Sequence, residues 1–408
     1  MPLPIATAAA PANDPEIILH IPQNDEPEPE LSIVIPALNE ELTIADFVQW
    51  CHEGLKKAGI RGEIVIVDSS KDRTREIALA HGARVLQVPK RGLGRAYIDS
   101  IPYIRGKWVV MGDADCTYDF RELAPFVEKF REGHEYIMGS RFRGSIEPGA
   151  MPPLHRYLGT PVTTWILNVL YSSRFSDIHC GMRGITKEAL MRMDLRSQSW
   201  EYASEMVLSS VRMQLRTTEV PVRFLKDVEG RLSHHKRSGW FSPWAAAWIN
   251  LRAMFVSGAD FFMLKPGVVL MLMGLLLTLP AALGPVTMGP VSVSLNWMML
   301  GMTLFILGLQ SFYMGCVAQT LYAHGPARRR WPRVFPYTPT VISSAVAFTG
   351  GAALALPLVR VYLQHGFLLQ RIGWENHLAV VGLMLVIGGF VTFSFTLILH
   401  AVALNARR

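Results

Sequence analysis

The stretch WVVMGDADCTYDF, Trp108 to Phe120, decides the fold and opens the question of function. Its first four residues are apolar, as a short buried strand requires. Three carboxylates, Asp113, Asp115 and Asp119, then fall within seven residues. Acids so close repel one another unless a cation or hydrogen bonds compensate them. A solvated turn is the bland account of a lone Asp-X-Asp, so the surrounding chain has to decide.

The same pattern, an apolar run with a polar tip, recurs on the N-terminal side. Leu31-Ser-Ile-Val-Ile-Pro36 is a β-branched run closed by a turn signal, hence a strand. Asn39 is placed to cap the helix that follows, with Glu40 and Glu41 in its positively polarised first turn. Ile44, Phe47, Val48, Cys51 and Leu55 repeat at helical spacing until Gly59. Further strands are expected over 63–68, 83–88, 107–111 and 135–138, alternating with helices near 72–81, 93–104 and 120–131. Such alternation predicts an α/β domain with a largely parallel, Rossmann-like sheet covered on both faces. Ligands of such sheets bind beyond the carboxyl ends of the strands. Three of those ends carry polar tips, PALNEE (36–41), DSSKD (68–72) and GDAD (112–115). An Asp-X-Asp at such a tip can hold Mg2+ or Mn2+, hard cations that bind carboxylate and phosphate oxygens together. On an extended backbone Asp113 and Asp115 would point to the same side.

Hydrophobic residues make up 50% of the 408 positions, and the excess is concentrated beyond residue 263. Four runs, 264–284, 291–323, 338–359 and 378–405, are each long enough for a bilayer core of about 30 Å. Arg328, Arg329, Arg330 and Arg333 follow the second run and Arg407 and Arg408 end the chain, which predicts cytoplasmic placement there and for the N-terminal domain. Between the two parts Trp240, Trp244 and Trp248 recur every four residues, predicting an interfacial amphipathic helix over 238–263. The expected organisation is a flexible tail (1–30), an α/β domain (31–237), that interfacial helix, and a membrane domain (264–408) with four helices. The formal net charge of +7 suits a protein facing anionic lipid and needs no nucleic acid. Cys51, Cys116, Cys180 and Cys316 are widely spaced, which fits a reducing compartment and no structural zinc.

VIPALNEE (34–41), IVDSSKDRT (66–74), KRGLGRAY (90–97), GDADCTYD (112–119) and GSRF (139–142), in this order, resemble the family 2 glycosyltransferases. The closer resemblance is to their dolichol-phosphate mannosyltransferase and polyprenyl-phosphate glycosyltransferase branch, over roughly residues 31–240. It implies a GT-A domain that binds a UDP- or GDP-sugar and passes a single sugar to a polyprenyl phosphate such as dolichyl or undecaprenyl phosphate. It further implies that Pro36, Ala37, Asn39, Glu40, Asp68, Lys90, Gly92 and Gly94 surround the donor, the glycines letting the backbone approach it. Asp113 and Asp115 would hold the metal, with Thr117 where the family often has glutamine. Ser69 stands where the family has a second acid, and Met182 replaces the aromatic of a Gly-Phe-Arg type motif.

Basic residues suggest the acceptor side. Arg141, Arg156, Lys236 and Arg237 could grip an anionic lipid head bidentately or as point charges, and equally could meet nearby acids or bilayer phosphates. Glu201 and Glu205 could orient a substrate or pair with Arg183 or Arg212, while His179 and Cys180 read as structural. Three other readings compete: a processive polysaccharide synthase, a non-catalytic nucleotide-sugar-binding scaffold, and a transporter. Neither Ala327-Arg-Arg-Arg-Trp331 nor Gln370-Arg-Ile-Gly-Trp374 fits the synthases' Gln-X-X-Arg-Trp pattern. A scaffold has no use for mutually repelling acids, and the apolar runs lack embedded acids of the kind that mark a polar pathway. The sequence therefore points to an inverting transferase in a bacterial-type inner membrane, with a second copy of the chain among its expected partners.

Overall fold

The structure, a computed structural model, describes residues 14–171, 173–199, 201–228, 258–288, 291–322, 330–367 and 373–405. It divides into two compact units, Met1–Ser257 and Gly258–Arg408.

The first unit opens with β1 (Ile18–His20), β2 (Leu31–Ala37), α1 (Ile44–Ala58), β3 (Gly62–Asp68), α2 (Thr74–Ala80), β4 (Arg84–Gln87) and α3 (Leu93–Ser100). It continues with β5 (Trp108–Met111), α4 (Ala124–Arg131), β6 (Tyr136–Ile146), α5 (Thr160–Tyr171), β7 (Arg183–Thr186), α6 (Lys187–Met193), α7 (Glu201–Arg212) and β8 (Thr217–Phe224). The eight strands form one sheet in the order β1-β4-β3-β2-β5-β7-β6-β8. β2 pairs in parallel with both β3 and β5, β3 with β4, and β6 with β8, whereas β1 and β7 run antiparallel to their neighbours. This is the largely parallel sheet that the alternating pattern predicts and the GT-A type that the resemblance implies. Its middle strands are apolar on both faces because helices cover both, and the expected face of α1 (Ile44, Phe47, Val48, Cys51, Leu55) is buried. Phe47 meets Phe120 edge-to-face with 4.9 Å between ring centroids, joining α1 to the segment after β5.

Several expectations need correction. Asn39 does not cap α1: it adopts a left-handed φ of 55°, and its carboxamide oxygen accepts from the Lys71 N–H at 3.0 Å, so α1 begins only after Thr43. The backbone beyond Met111 is not extended, since it bends from Ala114 and Cys116 takes a φ of 57°. α4 starts at Ala124 rather than Phe120, because Tyr118 bridges to Phe224 and the Asp119 carboxylate accepts from the Arg121 N–H. The strand expected over 135–138 runs on to Ile146 beside β8 and takes in Arg141. The reading of 1–30 as a flexible tail does not extend to Ile18–His20, which add a strand to the sheet edge beside β4.

In the second unit α8 (Ala259–Thr278) and α9 (Leu295–Tyr322) flank a hairpin of β9 (Val286–Met288) and β10 (Val291–Val293). The short α10 (Arg330–Val334) leads to α11 (Tyr337–Gln364) and α12 (Trp374–Asn405). Among the described residues four helices are thus long and apolar enough to cross a membrane, with spans Phe261–Thr278, Leu295–Leu321, Tyr337–Gln364 and Trp374–Leu404. The first span ends at Thr278 rather than 284, and 291–293 join the hairpin instead of the second span. A methyl group at Gly274 would sit 2.4 Å from the Phe305 backbone nitrogen, and one at Gly308 equally close to that of Met271. Helices α8 and α9 therefore touch backbone to backbone, as small residues allow where lipid supplies no hydrophobic drive. Gly351 and Gly382 do the same for α11 and α12. The expected interfacial helix lies outside the described residues up to 257, and α8 is already formed at Ala259.

Candidate active site

The polar tips of three strands are tied together by their own side chains. The Asn39 N–H donates to Ser70 Oγ at 2.7 Å and the Glu40 N–H to Thr74 Oγ1 at 2.9 Å, fastening the loop after β2 to the loop after β3. Thr43 Oγ1 lies 3.0 Å from the Ala114 carbonyl, its acceptor in the turn after β5. Asp68, fully buried at the end of β3, accepts from the Ser70 N–H and pairs with Arg75 at 3.2 Å. Pro36, Ala37, Asn39, Glu40, Asp68, Asp113 and Asp115 are thus gathered on one edge, as parallel strands of matched register require.

The three acids of the opening stretch have separate environments. Asp119 is buried; burial alone would raise its carboxyl, but the Arg121 hydrogen bonds and the charge of Arg223 outweigh that and hold it below the usual range. Asp115 stays half-exposed, with Oδ1 accepting from the Thr117 N–H at 3.0 Å and from its hydroxyl at 2.6 Å. Asp113 lines a cavity of about 150 Å³, together with Tyr97, Tyr118, His179, Gly181, Arg183 and Tyr202 among others. No group of three or more His, Cys, Asp or Glu side chains is spaced to hold a metal among the described residues. Two half-exposed carboxylates at a strand tip nonetheless suit a hard divalent ion whose remaining ligands come from a bound diphosphate or water.

β7 and its preceding loop supply what sequence reasoning missed. A methyl group at Gly181 would lie 2.5 Å from Asp113 Oδ2, so any larger residue there would have to push that carboxylate aside. Arg183 is 4% exposed, and its guanidinium donates to the carbonyls of Cys180 (2.9 Å), Ala203 (2.5 Å) and Ile178 (3.5 Å). No carboxylate among the described residues pairs with it, so a buried positive charge borders the cavity that Asp113 lines. Tyr97 Oη donates to the Gly112 carbonyl and Tyr118 Oη accepts from the Gly181 N–H, while Tyr202 Oη is buried without a hydrogen-bond partner. Burial pushes the Tyr97 and Tyr118 phenols upward, so both remain protonated.

Arg141, expected at an acceptor phosphate, is buried and held by Asp177 through Nε at 2.7 Å and a terminal nitrogen at 2.9 Å. Its immediate task is to fix the loop that carries His179, Gly181 and Arg183. Gly92 and Gly94 approach chain rather than open space, since added methyl groups would meet the Gln198 and Ser197 carbonyls at 2.2 and 2.1 Å. Glu205 accepts from the Arg196 and Ser197 N–H groups, shaping that same segment instead of pairing with Arg183. Lys90 stands exposed after β4, and the Arg156 guanidinium lies 5.6 Å from the Tyr157 ring centre at the start of the α5 region. Lys236 and Arg237 lie outside the described residues.

His179 bonds Thr163 Oγ1 at 2.9 Å, and burial pushes its imidazole down to about 4, Asp177 opposing and Arg141 and Arg183 reinforcing the shift. The unfolded imidazole titrates near 6.5, so below that pH the unfolded chain binds a proton that the folded chain refuses. This contribution to stability is complete above pH 6.5 and is lost as pH falls toward 4, by about 3 kcal/mol. Thermal unfolding of the full chain at pH 7 and 4.5 should therefore show a smaller acid-induced drop for His179→Gln than for the unaltered protein.

Comparison with known proteins adds the following. Residues 32–193 match the model of glycosyl transferase family 2. The low-salt glycan biosynthesis hexosyltransferase Agl6 of Haloferax volcanii is 34% identical over 378 residues, covering 89% of this chain and 88% of that protein. The dolichyl-phosphate hexose transferase of the same organism is 27% identical, covering 48% of this chain and 82% of the relative. Among solved structures, glucosyl-3-phosphoglycerate synthase of Mycobacterium tuberculosis, in complex with Mn2+, uridine diphosphate and glucosyl-3-phosphoglycerate, is 19% identical with a TM-score of 0.43, covering 56% of this chain and 80% of that one.

Proposed function

Because the chain belongs to glycosyl transferase family 2, and is therefore a glycosyltransferase, we propose that it moves one hexose from a UDP- or GDP-linked donor to a polyprenyl phosphate. The catalytic unit faces the cytoplasm in this reading. The observation that carries it is the strand-end cavity bordered by Asp113 and the buried Arg183, in a chain with four candidate membrane spans.

At about 150 Å³ the cavity is smaller than whole-ligand pockets of about 300–1,000 Å³. It takes the sugar and its phosphate, and the nucleoside lies over the tied loops at Pro36–Glu40 and Asp68. Asp113 and Asp115 would hold Mg2+ or Mn2+, which when bound supplies positive charge to the leaving diphosphate. Arg183 adds a fixed positive charge that needs no reorganisation as negative charge develops. Tyr202 offers its hydroxyl to a sugar oxygen. His179 stays neutral and positions the wall rather than taking a proton. None is needed from the acceptor, because a phosphate monoester oxygen is already anionic at neutral pH. That oxygen forms the new bond to the anomeric carbon as the bond to the nucleoside diphosphate breaks, so the configuration inverts in one displacement.

The test is to incubate the purified full chain with Mg2+ or Mn2+, labelled UDP-glucose, UDP-N-acetylglucosamine or GDP-mannose, and dolichyl or undecaprenyl phosphate. Label is expected in the lipid fraction with one of these donors. Label that appears only as free sugar or as polymer would overturn the reading.

A further inference from the structure

The second unit holds a groove of about 750 Å³ where α11 ends and α12 begins. Its origin is Pro357 inside α11. Proline has no N–H to donate to the Ala353 carbonyl four residues back, and its ring crowds that carbonyl, so the helix surface is broken there. Ala353 and Pro357 both line the groove. Gly351 and Gly382 bring the two helices together two residues before Ala353, which sets the floor. From Ala353 to Gln364 the lining runs eleven residues, about 16 Å at the helical rise of about 1.5 Å per residue. Half of a hydrocarbon core is about 15 Å, so the groove is one leaflet deep.

The lining is apolar except at the mouth, where Arg360, Gln364 and Glu375 stand beside Trp374. Arg360 and Glu375 carry opposite charges in one groove, yet they do not pair with each other. Neither side chain has an ion pair or hydrogen bond among the described residues. Charged groups at the depth of a membrane span are otherwise paired. Two opposite charges held apart match a ligand whose own charges are reversed.

We propose that the groove is a site for one phospholipid whose headgroup joins a phosphate to a primary ammonium, a phosphatidylethanolamine. The Arg360 guanidinium donates to the phosphate oxygens, which its planar fork suits. The ammonium donates to the Glu375 carboxylate, and an acyl chain fills the apolar floor down to Ala353. Trp374, 53% exposed, presents its indole at headgroup level. A phosphatidylglycerol headgroup brings no cation to Glu375, and a choline headgroup has no N–H to give it. A second copy of the chain would satisfy the charges reciprocally, Arg360 on Glu375, but two concave grooves set face to face leave their apolar floors empty. Lipid fills them. The proposal stands whichever sugar and acceptor the first unit uses.

Native mass spectrometry of the full chain, purified in detergent, tests it. Phosphatidylethanolamine, phosphatidylcholine and phosphatidylglycerol with identical acyl chains are added one at a time. One phosphatidylethanolamine per chain should be retained about ten-fold more tightly than either of the others, the worth of one hydrogen bond to a charged group. Arg360→Gln and Glu375→Gln should each lower that retention by about ten-fold. Arg360→Lys keeps the charge and should hold most of it, which separates lost binding from lost folding. Equal retention of the three lipids would overturn the proposal, since the groove would then hold passing bilayer lipid only. So would tight phosphatidylglycerol binding that Glu375→Gln leaves unchanged, which reduces the site to a grip on phosphate. Efficient disulfide cross-linking of two copies through Leu356→Cys in nanodiscs would do the same, making a second copy the cover.

Discussion

Replacing Asp115 with asparagine is expected to lower kcat/KM for lipid-linked sugar formation by about 10²–10³-fold, the range seen when one group that stabilises developing charge is removed. Asparagine keeps an oxygen to accept the Thr117 N–H and hydroxyl, so the turn survives and the loss reports charge. Asp119→Asn provides the contrast four residues on. Its carboxylate is buried against Arg121 and Arg223 at the far side of the turn, so the change should lower the unfolding temperature and leave kcat/KM unaltered. Equal losses of activity from both variants would show that the acids act as one structural cluster, and the metal assignment would go with that result.

The largest effect on stability is expected at Glu63. This residue of β3 is 3% exposed and accepts from Ser32 Oγ at 2.6 Å, Arg84 at 2.6 Å, and the Arg105 backbone and side chain at 2.8 and 2.7 Å. Burial works to raise its carboxyl, but the Ser32 and Arg105 hydrogen bonds and the charge of Arg84 win, leaving it below the usual range. Glu63→Ala would leave Arg84, itself 5% exposed, without its main counter-charge, at a cost of about 3–5 kcal/mol. For a unit of this size that is roughly 10 °C in Tm. Thermal unfolding of the full chain in detergent measures it, and a shift of only a degree or two would mean that water or Asp25, 3.8 Å from Arg84, compensates. Because the folded carboxyl titrates below the unfolded one, this stabilisation is complete above the unfolded value and is lost as pH falls through the folded one.

What the sequence made legible follows from how local the signal is. β2, β3 and β5 each hold an apolar run that ends in a polar tip, and parallel pairing puts such tips on one edge, so the family resemblance and the edge agree. β7 escaped because Arg183-Gly-Ile-Thr186 is four residues long and has no period of its own, and only antiparallel pairing with β5 and β6 makes it a strand. Arg183 is marked by its motif and as a candidate ion-pair partner, but its burial on carbonyl oxygens at the cavity wall leaves no local trace. His179 read as structural, and its place on the cavity wall depends on Thr163 in α5, sixteen residues away. Asn39 satisfied every local rule for a helix cap, yet the cross-loop bond to Lys71 took its side chain. β1 sits in a Pro-rich, acidic segment whose only guide is the neighbouring edge of β4.

The hydrogen bonds that fasten Asn39 to Ser70, Glu40 to Thr74 and Thr43 to Ala114 also bear on how a donor is received. Loops that would otherwise be the freest parts of the domain have already given up their conformational entropy when the sheet forms. Under the proposed function, a nucleotide arriving there would meet a preorganised cradle, and little of its binding free energy would be spent on ordering the chain. Donor affinity should accordingly vary little with temperature-driven loop motion, and discrimination between donors falls to the shape of the cavity wall.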